Sequence, residues 1–336
     1  MLVKATRVLV VEDSPLVRQM FVDMLRREED FEVVGYARDG EEALARAIEL
    51  TPDVITLDVD MPNLDGLGCL RELTASHPTP TVMISMNTPA GIETTLEALS
   101  LGATDFVCKP ECGSLRTLRG IREELVAKVR HAGHTQTPGP RLPVYREASV
   151  AETGRVVLLT GSTGCIRSLE GVFEGLPKGF AAPVLISVAL PPAFIAPLAQ
   201  RLSDIGTMPV VEARPGDRPE PGTAYIGAGL SLNPAGYLEL TDTSADDFLR
   251  SAAILYGDLC IAALLSGSGC DGADGAMAIR RAGGAVFAQT EDTCTDPALP
   301  ESAFANGSVE RSIPLESLGN AIAATAIESL YWLPAA

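Results

Sequence analysis

The first third of the chain places acidic, hydroxyl and lysine side chains at the ends of short apolar runs. The positions are Glu12 and Asp13 after the first run, Asp58 after the third, Ser85 after the fourth and Lys109 after the fifth. Carboxylates that converge raise each other's pKa unless a cation lies among them. Mg²⁺ prefers carboxylates, a backbone carbonyl and water. The residue types therefore predict a Mg²⁺ site of Glu12, Asp13 and Asp58, with the main-chain carbonyl of Asp60 as a further ligand.

The same group of side chains predicts chemistry on phosphate. Asp58 is the expected nucleophile toward an incoming phosphoryl group. Ser85 and Lys109 are expected to bind the oxygens of that group, because hydroxyl and ammonium donors stabilise charge that develops there. Any one of these residues alone is an ordinary polar residue at a strand end, and the argument depends on their combination.

The second half of the chain contains a serine and an aspartate in glycine-rich turns. TGSTGC places Ser162 between a predicted strand and a predicted helix, where helix N–H groups can face a developing oxyanion. SGSGCDGADG places Asp271 in a second such turn. Taken alone, such a serine is more often a helix cap, and such an aspartate is more often a turn former. The histidines of the chain are His77, His131 and His134, so none follows residue 134.

Strands and helices alternate along the first half of the chain. The runs predicted as strands are 7–11, 33–36, 53–57, 81–84 and 105–107, and Pro15–Arg27 is predicted to be a helix with Ser14 as its N-cap. Five strands alternating with helices predict a doubly wound parallel sheet. Because ligands bind at the carboxyl edge of such a sheet, the polar residues after the strands are expected to meet there.

The pattern restarts after a charged helix near 115–130 and a segment rich in proline, glycine and threonine. Later strands are predicted near 155–160, 183–188, 223–227, 258–265 and 285–289. Prolines interrupt the uncharged run Ala181–Ala199, which predicts a buried strand followed by a loop rather than a membrane span. The sequence thus predicts two α/β domains, 1–131 and 154–336, each with a doubly wound parallel sheet, joined by a linker over 132–153.

The segments VVEDS, LDVDMPNLDG, MISM and FVCKP, spread over residues 7–110, resemble those of response-regulator receiver domains. The resemblance implies a flavodoxin-like fold for residues 1–131. It also implies that a partner histidine kinase phosphorylates Asp58. Ser85 and Phe106 are then implied to shift on activation, with Phe106 at the position of a switch aromatic. Such a change would be local phosphate chemistry that biases a two-state element.

Residues 155–330 resemble the catalytic domain of CheB-type chemotaxis protein-glutamate methylesterases, and the order of receiver, linker and esterase also matches that family. The resemblance implies a three-layer α/β fold in which Ser162 attacks, a histidine carries the proton and Asp271 orients the imidazole. The family histidine stands two places before two prolines in the motif that ISVALPP matches, where this chain has Ala189. Cys165 also replaces a family glycine. Loss of such a base typically costs on the order of 10⁴–10⁶ in rate.

Composition limits the classes of partner. A formal net charge of −18 argues against binding to nucleic-acid backbones or anionic lipid. Seven cysteines without CxxC or metal spacing, behind an N-terminus that does not resemble a secretory signal, predict reduced thiols and a cytoplasmic protein without membrane insertion. The implied partners are a CheA-like sensor histidine kinase and a chemoreceptor or adaptor protein.

Three functions stay open at this stage. The first is a phosphorylation-controlled pseudoenzyme whose esterase-like domain binds a partner without turning it over. The second is an active methylesterase or glutamine deamidase that uses Ser162 with a non-standard base, for which Cys165, Cys270, His131 and His134 are the candidates. The third is a phosphate sink in which the receiver alone acts by draining a shared kinase.

Overall fold

The protein divides into two compact units between residues 137 and 138. A computed structural model describes residues 5–86, 88–109, 118–135 and 154–328. Each unit has its own hydrophobic core and its own parallel sheet. Most of the predicted linker, residues 136–153, lies outside the described residues.

The first unit is a parallel sheet in the order β2-β1-β3-β4-β5. Its described strands are β1 (Thr6–Val11), β2 (Phe31–Ala37), β3 (Val54–Asp58), β4 (Thr81–Ser85) and β5 (Asp105–Cys108). Its described helices are α1 (Pro15–Leu25), α2 (Gly40–Leu50), α3 (Gly66–Ser76), α4 (Pro89–Leu101) and α5 (Leu118–Ala132). The prediction of a doubly wound parallel sheet is confirmed here, with strand ends shifted by one or two residues.

Local sequence explains where these elements begin. Every residue of β3 and β4 is buried, as expected for apolar strands covered on both faces. The side chain of Ser14 accepts the N–H of Val17, and Pro15 occupies the first position of α1. That helix ends at Leu25, two residues before the predicted end.

The second unit is a larger parallel sheet in the order β14-β13-β12-β6-β7-β9-β8, with a separate hairpin of β10 and β11. The described strands are β6 (Val156–Gly161), β7 (Val184–Val188), β8 (Val210–Glu212), β9 (Ala224–Gly227), β10 (Leu230–Leu232), β11 (Leu238–Leu240), β12 (Cys260–Leu264), β13 (Ala285–Gln289) and β14 (Arg311–Ile313). The described helices are α6 (Cys165–Gly175), α7 (Ile195–Ile205), α8 (Ala245–Tyr256), α9 (Ala273–Arg281), α10 (Ala298–Ala305) and α11 (Leu315–Glu328).

The run Ala181–Ala199 differs in part from its prediction. The buried strand is present as β7, but a short 3-10 helix over Pro192–Phe194 and then α7 replace the expected loop. Pro197 lies in the first turn of α7, where a proline is tolerated because its missing N–H has no partner within the helix. Among the described residues, no helix is both long enough and apolar enough to span a bilayer.

Candidate functional site

Three carboxylates meet at the carboxyl edge of the first sheet. One ligand oxygen each from Glu12, Asp13 and Asp58 lies within 4.8 Å of the others. Glu12 and Asp58 are each 1% exposed, and Asp13 is exposed to solvent. An all-oxygen set of this kind, half buried and open on one side, fits a hard divalent cation such as Mg²⁺. The clustering predicted from the strand ends is therefore found.

Lys109 reaches into this cluster from the end of β5. Its Nζ lies 2.7 Å from Asp58 Oδ2 and 3.0 Å from Glu12 Oε2. Its main-chain N–H donates to the carbonyl of Ser85 at 2.7 Å, which fixes the start of the β5 to α5 connection beside β4. One ammonium therefore faces two buried carboxylates, and Asp13 adds a third at the surface.

Burial and mutual repulsion change the protonation of the cluster. Burial and the charge of Asp58 raise the pKa of Glu12 to about 7, although Lys109 acts in the opposite direction. Burial also raises the pKa of Asp58, against the hydrogen bond from Lys109. Burial alone lowers the pKa of Lys109, but Asp58 and Glu12 outweigh it and raise the value. A single lysine thus leaves excess negative charge, which a bound dication offsets.

The loop after β3 is held against Asp58 by a glycine. A Cβ on Gly66 would lie 2.0 Å from the carbonyl oxygen of Asp58, so no larger residue fits there without a backbone shift. The N–H of Asp60 faces Asp58 Oδ1 at 3.4 Å. The role of the Asp60 carbonyl as a metal ligand stays a prediction.

Ser85 ends β4 at this edge, Phe106 lies two residues before the end of β5, and both are buried. The Ser85 hydroxyl donates to the carbonyl of Gly91 at 3.1 Å. Phe106 is 4% exposed, and Nζ of Lys128 lies 4.5 Å from the centre of its ring. Lys128 also pairs with Asp105 at 3.0 Å. The proposed movement of Ser85 and Phe106 on activation stays a prediction.

Two cationic contacts in the first unit were not predicted from the sequence. Lys128 contacts Asp105 and Phe106 at the start of β5, more than twenty positions away along the chain. Arg18 lies beside the carboxylate cluster, and its Nη1 donates to the carbonyl of Glu12 at 2.6 Å and of Asp13 at 3.3 Å. Arg18 lies in the turn of α1 that follows the two acids, so its position one helical turn beyond Ser14 was the available signal.

Ser162 lies directly after β6 in the second unit and joins two glycine-rich turns. Its Oγ accepts the main-chain N–H of Ser268 at 2.8 Å and lies 3.3 Å from the hydroxyl of Ser268. Its own N–H donates to the carbonyl of Ser266 at 3.1 Å. Ser162 does not cap α6, because the N-cap residue is Gly164. The alternative interpretation of Ser162 as a helix cap is therefore wrong.

Gly164 fixes the path of the chain between Ser162 and α6. Its φ is +77°, and a Cβ there would lie 2.4 Å from Cβ of Thr295. A side chain at this position would be both strained and sterically blocked. The turn is therefore held in one shape by the neighbouring segment.

Ala189 lies beside Ser162 at the carboxyl edge of the second sheet. Strands β6 and β7 are neighbours, and their last register pair joins Gly161 to Val188. Ser162 and Ala189 each follow that pair by one residue, on strands that lie about 4.8 Å apart. Ala189 is exposed and offers only a methyl group. Ser162 and Ala189 therefore follow neighbouring strand ends, and the methyl side chain of Ala189 cannot carry a proton.

Asp271 is hydrogen-bonded to the start of α8. Its Oδ2 accepts the N–H of Ala245 at 2.9 Å, and its Oδ1 accepts the N–H of Asp246 at 3.1 Å. Asp246 in turn accepts the N–H of Gly272 at 3.0 Å. In the part of the chain that the structure describes, no hydrogen bond joins Asp271 to Ser162. Their roles as catalytic residues stay predictions.

Cys165 and Cys270 flank the two turns but differ in environment. Cys165 is 1% exposed, whereas Cys270 is exposed to solvent. His131 lies in the last turn of α5 in the first unit, and His134 follows that helix. The main-chain N–H of Cys165 donates to the carbonyl of Ser162 at 3.0 Å, and the role of any of these four residues as a replacement base stays a prediction.

Comparison with known proteins gives two matched families. Residues 8–118 match the response regulator receiver domain, and residues 157–322 match the CheB methylesterase. A protein-glutamate methylesterase/protein-glutamine glutaminase from Thermotoga maritima is 36% identical over 329 residues, covering 93% of this chain and 96% of the relative. Protein-glutamate methylesterase/protein-glutamine glutaminase 1 from Myxococcus xanthus is 39% identical over 336 residues, covering 95% of this chain and 96% of the relative. The crystal structure of the Thermotoga maritima CheB methylesterase catalytic domain is 31% identical, with a TM-score of 0.49, and covers 51% of this chain and 98% of that one.

Proposed function

Because this chain belongs to the protein-glutamate methylesterase/protein-glutamine glutaminase family, with a receiver domain and a CheB methylesterase domain, we propose that it is a phosphorylation-controlled response regulator with an impaired esterase. A sensor histidine kinase of the chemotaxis type transfers a phosphoryl group to Asp58. The phosphorylated protein then binds a chemoreceptor or adaptor through its esterase-like domain. It releases little or no methanol from that partner.

The acidic cluster of the first unit supports the receiver part of this proposal. Glu12, Asp13 and Asp58 would hold Mg²⁺, which when bound supplies positive charge to the incoming phosphoryl oxygens. The carboxylate of Asp58 is the nucleophile, and Lys109, already 2.7 Å from it, would bind a phosphoryl oxygen. The hydroxyl of Ser85 would bind a second phosphoryl oxygen, and for this it would have to break its hydrogen bond to the carbonyl of Gly91.

The observation that carries the proposal is the pair of Ser162 and Ala189. A serine hydroxyl is a weak nucleophile at neutral pH unless a neighbouring base takes its proton. Ala189 follows the end of the neighbouring strand and carries no base. No histidine follows residue 134 to replace it. The expected rate of ester hydrolysis is therefore on the order of 10⁴–10⁶ below that of a complete triad.

The hydrogen bonds of Ser162 and Asp271 indicate that both side chains stabilise the fold. Ser162 accepts the N–H of Ser268, and Asp271 accepts two N–H groups of α8. Each side chain thus has a function in the fold that does not depend on catalysis. Their presence is accordingly compatible with a domain that binds without hydrolysing.

The decisive experiment measures methanol release from methylated receptor fragments. The protein is phosphorylated at Asp58 with a small phosphodonor, and wild type is compared with Ser162→Ala, Ala189→His and the double variant. We expect wild type and Ser162→Ala to match the blank and Ala189→His to gain activity that the double variant lacks. A companion measurement is phosphorylation-dependent binding to the receptor fragment, which Asp58→Asn should abolish.

Two results would contradict the proposal. Methanol release by wild type that Ser162→Ala removes would show that a base is present. Receptor binding that is the same in wild type and Asp58→Asn would remove the control by phosphorylation. Unphosphorylated wild type serves as the control for both measurements.

A second candidate function is an active methylesterase or glutamine deamidase with a non-standard base. The names of the full-length relatives favour it, since they describe methylesterases and glutaminases, and Ser162 and Asp271 are both present. It predicts Ser162-dependent loss of methyl ester or conversion of glutamine to glutamate, which mass spectrometry of receptor peptides detects. Cys270→Ser and His134→Gln would then identify the base.

A further inference from the structure

A cavity of about 310 Å³ opens at the carboxyl edge of the second sheet, on the far side of Ala189 from Ser162. The chain after Ala189 forms one wall with Pro192 and Ile195. The ends of β8 and β9 form the base, and the segment after β11 forms the opposite wall. Nothing in the proposed chemistry of Ser162 uses this space.

The interior of the cavity is apolar. Ile195 is 3% exposed and Ala213 is 1% exposed, so the floor is part of the packed core, and Leu240 completes the wall. Gly227 lies close to Leu240 in this lining, since a Cβ on Gly227 would be 2.8 Å from Cδ2 of Leu240 and that side chain would have to move. An aliphatic chain that enters the cavity would therefore contact apolar atoms on several sides.

The mouth of the cavity is acidic. Glu212 reaches it from the end of β8, and Asp242 reaches it from the segment after β11. Both residues are exposed, and the lining contains no lysine, arginine or histidine. Two carboxylates from separate elements thus face one opening that has no cation of its own.

We propose that this cavity binds the side chain of an arginine or a lysine on a partner polypeptide. The aliphatic stem would lie on Ile195, Ala213 and Leu240, and the cationic head would lie between Glu212 and Asp242. Long cationic side chains bind in this way because they bury their methylene groups while the charge stays near water. A purely apolar side chain would leave the two carboxylates desolvated without a partner, which costs free energy. An anionic group would be repelled by them.

The position of the cavity gives this side chain a specific use. Gly227 ends β9, which neighbours β7, and β7 neighbours β6. The cavity is therefore two strand spacings, roughly 10 Å, from the strand that carries Ser162. Side chains one or two turns apart on a bound helix are separated by roughly 5–11 Å. A helical partner could place one residue at Ser162 and Ala189 and a cationic residue in the cavity.

This inference rests on the proposed binding of a partner at this edge, and it names the side chain that selects the partner. The test uses the full chain with isotopically labelled isoleucine and leucine methyl groups. Nα-acetyl-arginine N-methylamide, its lysine counterpart and its uncharged citrulline counterpart are titrated separately, and the methyl resonances are followed by NMR. Ile195 and Leu240 report on the cavity, and Ile121 of α5 is the internal control.

We expect the arginine or lysine derivative to shift Ile195 and Leu240 but not Ile121, and the citrulline derivative to have no effect at the same concentration. Replacement of both carboxylates, Glu212→Gln with Asp242→Asn, should weaken binding about tenfold. The matched control is Asp258→Asn with Glu316→Gln, which removes the same charge from exposed positions elsewhere. Gly227→Ala should also reduce binding, because the added methyl displaces Leu240 into the cavity.

Equal shifts with arginine and citrulline would overturn the inference, as would unchanged affinity in the Glu212 and Asp242 double variant. Shifts confined to other methyl groups would do the same. The titration uses no methyl ester and no phosphodonor, so its failure leaves the proposed function intact. Conversely, the absence of phosphorylation-dependent receptor binding would not change the result of the titration.

Discussion

Asp271 caps α8 through the main-chain N–H of Ala245, with an O to N distance of 2.9 Å. Its second oxygen accepts the next N–H of the same helix. Helix N-termini leave such groups without partners inside the helix, and a carboxylate there is favoured by the helix dipole as well. Asp271, which the sequence predicts to be a catalytic residue, therefore joins two segments that are 26 residues apart.

Replacement of Asp271 should accordingly lower stability. We expect Asp271→Ala to cost about 1 kcal/mol of unfolding free energy, since two N–H groups lose their acceptor. Asp271→Asn keeps one acceptor oxygen and should lie between Ala and wild type. Urea unfolding monitored by circular dichroism measures both. Ser244→Ala removes the other cap of α8 and is the matched control. A midpoint unchanged by Asp271→Ala but lowered by Ser244→Ala would refute the capping role.

Ser162 should also contribute to stability rather than only to chemistry. Ser162→Ala leaves the N–H of Ser268 without its acceptor, at an expected cost of about 1 kcal/mol. Hydrogen exchange of the Ser268 amide should become faster in that variant. Ser268→Ala retains the main-chain bond and is the control. If the amide exchanges at the same rate in Ser162→Ala as in wild type, the bond does not form in solution.

Mg²⁺ should stabilise the first unit, and more strongly as pH rises from 6 to 8. The pKa of Glu12 is raised to about 7 by burial and by Asp58, so below that value a bound cation must displace its proton. Thermal unfolding with and without Mg²⁺ at each pH measures the effect. Glu12→Gln should remove most of the pH dependence. Glu32→Gln, an exposed change on β2, should leave it unchanged.

The same shift has a consequence without Mg²⁺. The folded protein holds a proton on Glu12 above the ordinary pKa of 4.5, so this contribution to stability is present below about pH 4.5 and is lost as pH rises through 7. Glu12→Gln should therefore be more stable than wild type at pH 8 in a chelating buffer. A wild type that matches the variant at both ends of this range would contradict the raised pKa.

The rate of alkylation should differ strongly between the buried cysteines and the exposed Cys270. Burial raises the pKa values of Cys69, Cys260 and Cys294 to about 12, so almost none of each is thiolate at pH 8. Cys270 is exposed and should be alkylated first by iodoacetamide. Peptide mapping by mass spectrometry gives the rate at each site, and labelling in urea should equalise them. Native labelling of Cys260 as fast as that of Cys270 would show that the second core opens readily.

The strands that carry the two candidate sites were predictable because they are continuous apolar runs with polar residues directly after them. The carboxyl edge that gathers Glu12, Asp58 and Lys109 follows from that pattern and from the rule for parallel sheets. Strands β8, β10, β11 and β14 were not predicted. Each has only three residues, too few for a period to show, and the hairpin owes its place to packing of Leu230 and Leu238 in the core.

Contacts between distant segments also could not be predicted. The start of α8 is 26 residues from Asp271, and no local pattern in either segment indicates the pairing. The onset of α7 was hidden by Pro191 and Pro192, which predict a loop, although proline is equally suited to the first turn of a helix. In both cases the local sequence is compatible with more than one structure, and tertiary packing selects the one that is observed.

The exposed position of Ala189 has a consequence for the packing of the second unit. Its methyl group takes no part in the core of the second unit, and the strand end on which it lies is set by buried residues of β6 and β7. A methyl group in place of a larger side chain at this exposed position removes no packing contact from the core. Under the function proposed above, the absence of a base at position 189 would therefore need no compensating change in the core of the second unit.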